Sequence, residues 1–193
     1  MLFFVTSNTG KFNYAVQQLD AYGIQLEQKS LDVMEIQSES VEDIAQHKAA
    51  SAYEILQAPL LVNDAHWNIP ALNGFPGPYM AYVDRWFSPD DFLRLMTDVD
   101  DRRVILTEVV VYHDHYQSKV FTGSVAGVIL EAASGQSQRH SFDPVVSFRS
   151  DKKSLSQAHS EALPTMQNGL LMWRDFAAWY SSADFTHAGT ARQ

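Results

Sequence analysis

Cysteine is absent from the 193 residues of this chain, which excludes disulfides and thiolate metal sites. Long apolar runs are absent too: no stretch reaches 18 residues, so we expect no membrane span. The apolar start at residues 2–5 has neither a charged segment before it nor a small-residue cleavage site after it, which argues against a secretory signal. These absences together predict a cytoplasmic protein.

Positive charge is scarce. The chain has 14 Lys and Arg against 23 Asp and Glu, a formal net charge of −9. A surface of that sign disfavours nucleic acid and anionic membranes, so we expect neither as a partner. An anionic ligand would therefore need a local cationic pocket or a bridging metal ion.

What is present is the composition of a folded globular domain. Hydrophobic residues make up 46% of the chain and aromatic residues 12%, enough to build a substantial core. The length fits one domain, which we place at residues 1–180, and little in residues 181–193 would order them, so we expect a flexible tail.

Hydrophobic periodicity predicts strands and helices in alternation, which is typical of an α/β fold. Strands are expected over residues 2–6, 24–33, 60–62, 104–112 and 119–130. Helices are expected over residues 11–22, 41–57 and 88–99, within 154–167, and over 170–180. Most of residues 132–154 are expected to form loops.

The loop at residues 71–79 is the most informative segment. Two glycines and two prolines within residues 74–78 cannot continue a helix or a central strand, so they predict a stiff loop. The strand before it would deliver Asp64 to its carboxyl end, and a carboxylate beside a rigid glycine loop suits a metal ion and a phosphorylated ligand. Locally, a surface turn after a capping Asp explains the same residues equally well.

The loop reads A-L-N-G-F-P-G-P-Y and resembles the A-L-x-G-x-P-G-x-Y signature of the inosine triphosphate pyrophosphatase family, enzymes that remove pyrophosphate from non-standard purine nucleoside triphosphates. The resemblance runs from about residue 2 to 179. It implies a long mixed β-sheet flanked by helices, two lobes with a central cleft, and a homodimer. It also implies that Phe75 and Gly77 bind substrate. The acidic pair of the family is Asn63-Asp64 here, and the small turn after it is residues 66–68.

Residues 6–11 form a polar turn between a strand and a helix. Backbone N–H groups at a helix start, with hydroxyls and a lysine, can hold phosphates, although the spacing is not that of a P-loop and polar turns are common. The segment is similar to the T-G-N-x-x-K motif of the family. The resemblance implies that Thr6, Asn8 and Lys11 bind the triphosphate and that Lys11 assists catalysis. Tyr14 stands where the family has a glutamate.

Two carboxylates suggest a metal site. Asp43, in the first turn of the predicted helix 41–57, and Asp64 could together hold a Mg²⁺ ion that bridges phosphate oxygens. As isolated acids, Asp43 and Glu42 also simply suit a helix N-terminus. Counting back from Lys48 places Asp43 at the metal-binding glutamate of the family. The resemblance therefore implies Asp43 and Asp64 as ligands of Mg²⁺, with Glu42 as the alternative to Asp43.

Residues 140–144, H-S-F-D-P, are similar to F-G-(Y/W)-D-P of the family. The resemblance implies that His140 and Phe142 contact the base and that Asp143 lies near the catalytic centre. A phenylalanine before Asp-Pro is also typical of a core or a turn.

Residues 152–163 are similar to K-x-x-x-S-H-R-x-x-A-L, which in the family recognises base and phosphates. The resemblance implies that Lys153 and His159 bind substrate. The Ser-His-Arg centre of that pattern is Gln157-Ala158-His159 here, and a neutral imidazole matches neither the five donors nor the permanent charge of arginine.

The resemblance carried by these residues implies Mg²⁺-dependent hydrolysis of a non-standard purine nucleoside triphosphate, or of a related nucleotide, to the monophosphate and pyrophosphate. In the mechanism that the resemblance implies, Asp64 orients or deprotonates the attacking water with help from Asp143. The alternative is a nucleotide-binding protein of the same family that has lost turnover. The missing acid at position 63 and the missing Ser-His-Arg centre favour that alternative. An unrelated α/β domain is opposed by the match at residues 71–79.

Overall fold

The computed structural model describes residues 1–136, 140–166 and 170–183. Its strands are β1 (Leu2–Val5), β2 (Leu26–Lys29), β3 (Leu60–Asn68), β4 (Pro76–Gly77), β5 (Arg103–His113), β6 (Ser118–Ile129) and β7 (Val146–Ser147). Within the described residues these seven strands form one sheet in the order β2-β1-β3-β5-β6-β7, with β4 paired to β3. β1 pairs in parallel with β2 and β3, whereas β5 pairs antiparallel with β3 and β6. The sheet is therefore mixed, as the sequence predicts.

Helices flank this sheet. They are α1 (Thr9–Asp20), α2 (Val41–Leu56), α3 (Met80–Trp86), α4 (Pro89–Leu95), α5 (Leu155–Ser160) and α6 (Met172–Ser182). Four of them begin at a side-chain N-cap, which satisfies a free backbone N–H of the first turn. None of the helices in the described part of the chain is long and apolar enough to cross a membrane. The predicted α/β class with a helix-flanked mixed sheet is confirmed.

The two faces of the sheet carry separate cores because side chains alternate along each strand. Leu61 packs in the larger core together with Phe4 and residues of α1 and α6. Leu60 and Val62 pack in the smaller core against the alanines of α2. The same alternation sends Asn63 toward the larger core and its neighbour Asp64 toward α2.

β3 is longer than the sequence predicts. It does not end near residue 62 but pairs with β5 through Asn68, so Asp64 lies inside the strand and residues 66–68 are strand, not a turn. The pairing between β1 and β3 stops at Phe4↔Leu61, however. Asp64 therefore lies beyond the end of β1, where one edge of β3 has lost its neighbour. The prediction that Asp64 lies at the end of its own strand is therefore wrong. Asp64 lies beyond the end of the neighbouring strand, β1.

Other boundaries shift in the same region. The sequence predicts neither β4 nor α3. The glycines and prolines of residues 74–78 indicate a loop, and their pattern gives no sign of the short strand or of the helix that follows. The strand predicted over residues 24–33 is confined to β2, and the helix predicted to reach residue 99 ends at Leu95. At the carboxyl end α6 continues to Ser182, and most of the predicted tail, residues 184–193, lies outside the described residues.

The loop that carries the signature is closed by its own backbone. Gly74 and Leu72 donate N–H groups to the Ile69 carbonyl, at 3.1 and 2.9 Å, and Ile69 donates in turn to the Phe75 carbonyl at 3.1 Å. Gly77 adopts a φ of 66°, a left-handed conformation that disfavours any residue with a Cβ. The loop delivers the chain directly into α3, so its shape decides where α3 lies.

Two glycines of β6 give a test of how β7 docks. A Cβ at Gly127 would lie 2.5 Å from the Ser147 carbonyl oxygen, whereas a Cβ at Gly123 would first meet the flexible Met172 side chain, at 3.3 Å from Sδ. We expect Gly127→Ala to lower the free energy of unfolding by about 1–3 kcal/mol, the usual cost of overpacking. Gly123→Ala, the matched control, should cost clearly less. Urea unfolding of both variants measures the difference, and equal costs would contradict the close approach of β7.

Candidate active site

The turn between β1 and α1 gathers the first group of predicted residues. Asn8 is the N-cap of α1, and its Oδ1 accepts from the Lys11 backbone N–H at 3.0 Å. Thr6 Oγ1 accepts from the Asn8 N–H at 3.1 Å. The Lys11 side chain reaches across to β3, where Nζ donates to the Asn63 carbonyl oxygen at 3.2 Å. Thr6, Asn8 and Lys11 thus meet at the end of β1, as the motif predicts.

Lys11 belongs to a polar network on the face of the larger core. The Asn63 amide donates from Nδ2 to Glu108 Oε2 at 3.1 Å and to the Val109 carbonyl at 3.2 Å. Burial raises the pKa of Glu108, against the opposing influence of Lys11 and the Asn63 hydrogen bond. Burial and then the Glu108 charge raise the pKa of Tyr14 to about 12. Sequence reasoning missed Glu108, because a single glutamate in the apolar pattern of β5 carries no motif.

Asp64 faces a different lysine on the opposite side of the sheet. Lys48 Nζ lies 3.6 Å from Asp64 Oδ2 and 2.5 Å from Glu35 Oε1. Burial works to lower the pKa of Lys48, but the Asp64 and Glu35 carboxylates outweigh it and the net shift is upward. Lys48 therefore stays charged between two acids. Sequence patterns do not predict Glu35, since it lies in an irregular segment without periodicity and matches no motif.

A surface depression opens in front of Asp64. The residues that line it come from the segment before α2, from α2 and β3, and from the signature loop and α3: Glu35, Ile36, Gln37, Val41, Ile44, Asp64, Ala65, Pro78, Tyr79 and Tyr82. The Tyr79 hydroxyl lies 3.5 Å from the Ser38 carbonyl oxygen. The signature loop therefore borders the predicted catalytic acid through Pro78 and Tyr79. Phe75 instead packs on Phe87, with ring centroids 5.7 Å apart.

The two acids at the start of α2 point to different places. Asp43 is exposed and lies 3.5 Å from Ser38 Oγ, while Ser40 caps its backbone N–H. Glu42 accepts a hydrogen bond of 2.8 Å from Thr122 Oγ1 on β6. The acid that shares a cation with Asp64 is Glu35, through Lys48, rather than either of these.

The acids around Asp64 fit a metal ion that is shared with a ligand. No group of three or more His, Cys, Asp or Glu in the described part of the chain is close enough to hold a metal by itself. Asp64 Oδ2 is buried and has no hydrogen-bond donor among the described residues. Carboxylate oxygens suit Mg²⁺, which usually takes one or two of them and completes its shell with water and phosphate oxygens. The residues present are compatible with such an ion.

A second cluster forms where the 140–144 segment meets α3. His140 Nδ1 lies 2.9 Å from Asp84 Oδ2, and Ser141 donates to Asp84 Oδ1 from its N–H at 2.6 Å and its hydroxyl at 2.8 Å. Burial raises the pKa of Asp143, with His140 and His159 opposing the shift and Asp84 adding to it. His140 of this segment and His159 of α5 both lie close enough to influence the Asp143 carboxylate. Asp84 was missed because the sequence did not predict α3.

Phe142 does not occupy the predicted place. Only 1% of its surface is exposed. The centroid of its ring lies 4.5 Å from that of Phe92 and 5.2 Å from that of Trp67. Both neighbours belong to the larger core or pack against it. The expected contact of Phe142 with a base is therefore wrong for this structure, and the alternative reading of a core residue before Asp-Pro applies.

Only part of the 152–163 segment is placed where it could contact a ligand. The Lys153 ammonium pairs with the Glu161 carboxylate, so its charge is already balanced within the segment. Ala158 is completely buried in α5, which removes that position from any ligand contact. His159 is exposed at the end of α5, on the side of Asp143.

The Asp84 cluster predicts a pH dependence. Although burial opposes it, the hydrogen bonds from His140 and Ser141 hold the pKa of Asp84 below its ordinary value. A depressed pKa in the folded state stabilises the fold above the unfolded-state pKa of about 3.9, and that stability is lost as the pH falls through the folded-state pKa. Asp84→Asn should therefore be less stable than the unaltered protein at pH 7, by a margin that shrinks below about pH 4. Chemical unfolding from pH 7 to pH 3 measures this margin, and a constant margin would contradict the argument.

Comparison with known proteins gives this arrangement a family. A model of the Ham1 family matches residues 2–166. The chain is 34% identical to a dITP/XTP pyrophosphatase of Methanopyrus kandleri over 180 residues, which cover 93% of this chain and 95% of that protein. It is 32% identical to a dITP/XTP pyrophosphatase of Hyperthermus butylicus over 161 residues, 83% of this chain and 84% of that protein.

Solved structures agree at the level of the fold. The Ham1 protein of Staphylococcus aureus superposes with a TM-score of 0.72 at 22% identity, covering 94% of this chain and 98% of that one. A HAM1 protein from Coxiella burnetii gives a TM-score of 0.73 at 17% identity, over 95% of this chain and 100% of that one. With the family match across most of its length, this chain belongs to the Ham1 family.

Proposed function

We propose that this protein hydrolyses non-standard purine nucleoside triphosphates to the monophosphate and pyrophosphate. The proposal rests on where Lys11 and Asp64 lie, close to the point where β1 stops pairing with β3. Lys11 is held to the Asn63 carbonyl, and Asp64 faces the depression beside the signature loop. The relatives named dITP/XTP pyrophosphatase support the substrate class.

The phosphate chain would lie at the start of α1. Three features converge there: the free N–H groups of the first turn, the Thr6 and Asn8 side chains, and the Lys11 ammonium, which donates 3.2 Å to the Asn63 carbonyl. N–H groups at a helix start and an ammonium both favour anions. Because the chain as a whole is acidic, this local cationic group is what would select the triphosphate.

Asp64 would act on the attacking water. Its Oδ2 is buried and faces Lys48 Nζ at 3.6 Å, while the residue as a whole lines the depression. From there the carboxylate would accept a hydrogen bond from a water molecule held in the depression. The Lys48 ammonium places a positive charge beside the carboxylate. In this role Asp64 orients the water toward the α-phosphorus and takes its proton. Asp143, with His140 and His159 beside it, would assist from the side of the base.

We assign Mg²⁺ as the cofactor, with Asp64 as one ligand and Asp43 or Glu35 as the second. When bound, the ion would neutralise phosphate charge and polarise the attacking water. Glu35 enters this set because Lys48 already links it to Asp64. Lys48 would then hold the two carboxylates near one another while the ion is absent. We also propose that Phe75, Gly77 and Lys153 contact the substrate. The homodimer and the cytoplasmic location remain predictions.

A screen of nucleoside triphosphates tests the proposal. The purified protein is incubated with Mg²⁺ and ITP, dITP, XTP, GTP or ATP, and pyrophosphate and orthophosphate are measured separately. Pyrophosphate release from ITP, dITP or XTP is the expected result. Nucleotide binding by calorimetry without release from any of them would instead establish the alternative, a binding protein without turnover, which the amide at position 63 favours.

The first mutational test is Asp64→Asn. An amide keeps the shape of the side chain but cannot accept a proton, so kcat should fall by about 10²–10⁴-fold, the usual contribution of a general base. The folded state should survive, because Asp64 is only partly buried and its ion pair with Lys48 is 3.6 Å long. Asp90→Asn, an exposed acid of α4, is the matched control. A folded Asp64→Asn variant with unchanged kcat would remove Asp64 from the mechanism.

The second test is Lys11→Ala. Lys11 would contact the phosphates, which all substrates share, rather than the base. All active triphosphates should therefore lose a similar factor in kcat/KM, of about 10²-fold if about 3 kcal/mol of charge stabilisation is lost. Lys119→Ala, an exposed lysine of β6, is the control. A defect confined to one base would show that Lys11 has been misplaced.

A further inference from the structure

Glu108 occupies an unusual position for a charged residue. It lies on the face of β5 whose other residues, among them Leu106 and Val110, are buried in the larger core. A carboxylate on such a face is costly unless it is paired and hydrogen-bonded. Its directly opposed neighbours on β3 and β6 are Ala65 and Gly123, neither of which has a polar side chain that could pair with it.

The network around Glu108 leads to the proposed phosphate site in two steps. The Asn63 amide donates to Glu108 Oε2 at 3.1 Å, and the Asn63 carbonyl accepts from Lys11 Nζ at 3.2 Å. Glu108 and Lys11 also attract one another electrostatically. The carboxylate thus holds both the residue that anchors Lys11 and the charge of Lys11 itself.

We infer that Glu108 is a positioning residue of this site: its carboxylate fixes Asn63 and balances Lys11, and so sets where the Lys11 ammonium meets the phosphate chain. The inference rests on the proposed function. Asn63 and Glu108 then position Lys11 together: Asn63 contributes an amide and Glu108 a carboxylate.

The charge of Glu108 separates this role from a purely structural one. A negative charge near the phosphate chain opposes binding of a triphosphate, so removing it should not raise KM. Removing it also frees the Lys11 ammonium from its counter-charge, so the alignment needed in the transition state should suffer and kcat should fall. A change that only loosened the fold would lower the unfolding temperature without this split between kcat and KM.

The test compares three variants in the pyrophosphate-release assay. Glu108→Gln keeps the size of the side chain and an acceptor for Asn63 but removes the charge. Asn63→Asp combined with Glu108→Gln exchanges the two groups, which preserves an amide–carboxylate hydrogen bond and moves the charge to β3. Glu131→Gln, an exposed glutamate beyond β6, is the control for loss of a charge. Thermal unfolding of each protein accompanies the kinetics.

We expect Glu108→Gln to lower kcat by about 10–100-fold, the usual effect of losing a supporting partner of an active site, with no increase in KM. The exchanged variant should recover most of the lost kcat, and Glu131→Gln should match the unaltered protein. If the unaltered protein is active and folded Glu108→Gln retains its kcat, or if the exchange recovers nothing, the inference fails while the proposed function stands. If the unaltered protein releases no pyrophosphate from any substrate, the proposed function fails and this inference fails with it.

Discussion

The site depends on a difference in strand length. β1 stops at Val5, and its pairing with β3 ends at Leu61, while β3 continues to Asn68 on the support of β5. Between Leu61 and Trp67, where β4 begins to pair, β3 therefore has no strand partner on one side, and the Asn63 carbonyl accepts a hydrogen bond from the Lys11 ammonium instead. The open edge that results brings together the start of α1, Lys11 and Asp64, the proposed catalytic acid.

Strand alternation then divides the charges into two balanced sets. Asn63 and Asp64 are neighbours in sequence but face opposite sides of the sheet, so each meets a different helix. On one side Lys11 of α1 is balanced by Glu108, and on the other Lys48 of α2 is balanced by Asp64 and Glu35. Both lysines keep a counter-charge in the absence of ligand. A triphosphate bound with a divalent cation brings charges of both signs. Its phosphates could therefore pair with the lysines, and its cation with the carboxylates.

What the sequence could predict was carried by local patterns. The turn before α1, with Thr6, Asn8 and Lys11, is fixed by adjacent residues and appears as expected. Glu35, Asp84 and Glu108 could not be predicted, since each is a single acid whose partner lies at least 13 residues away along the chain. For Phe142 the local pattern is known but ambiguous, since a phenylalanine before Asp-Pro could contact a base or lie in the core. Its packing on Phe92 shows that it lies in the core.

An asparagine in place of an acid at position 63 suggests lost turnover only if position 63 is considered alone. The Asn63 Nδ2 group donates to two acceptors at once, the Glu108 carboxylate and the Val109 carbonyl. A carboxylate at position 63 would face both acceptors without a proton to offer, and like partial charges at that distance repel. The amide at position 63 and the carboxylate at position 108 are therefore matched, and the presence of either favours the other. The negative charge beside Lys11 is thus supplied by Glu108 of β5 rather than by position 63 of β3.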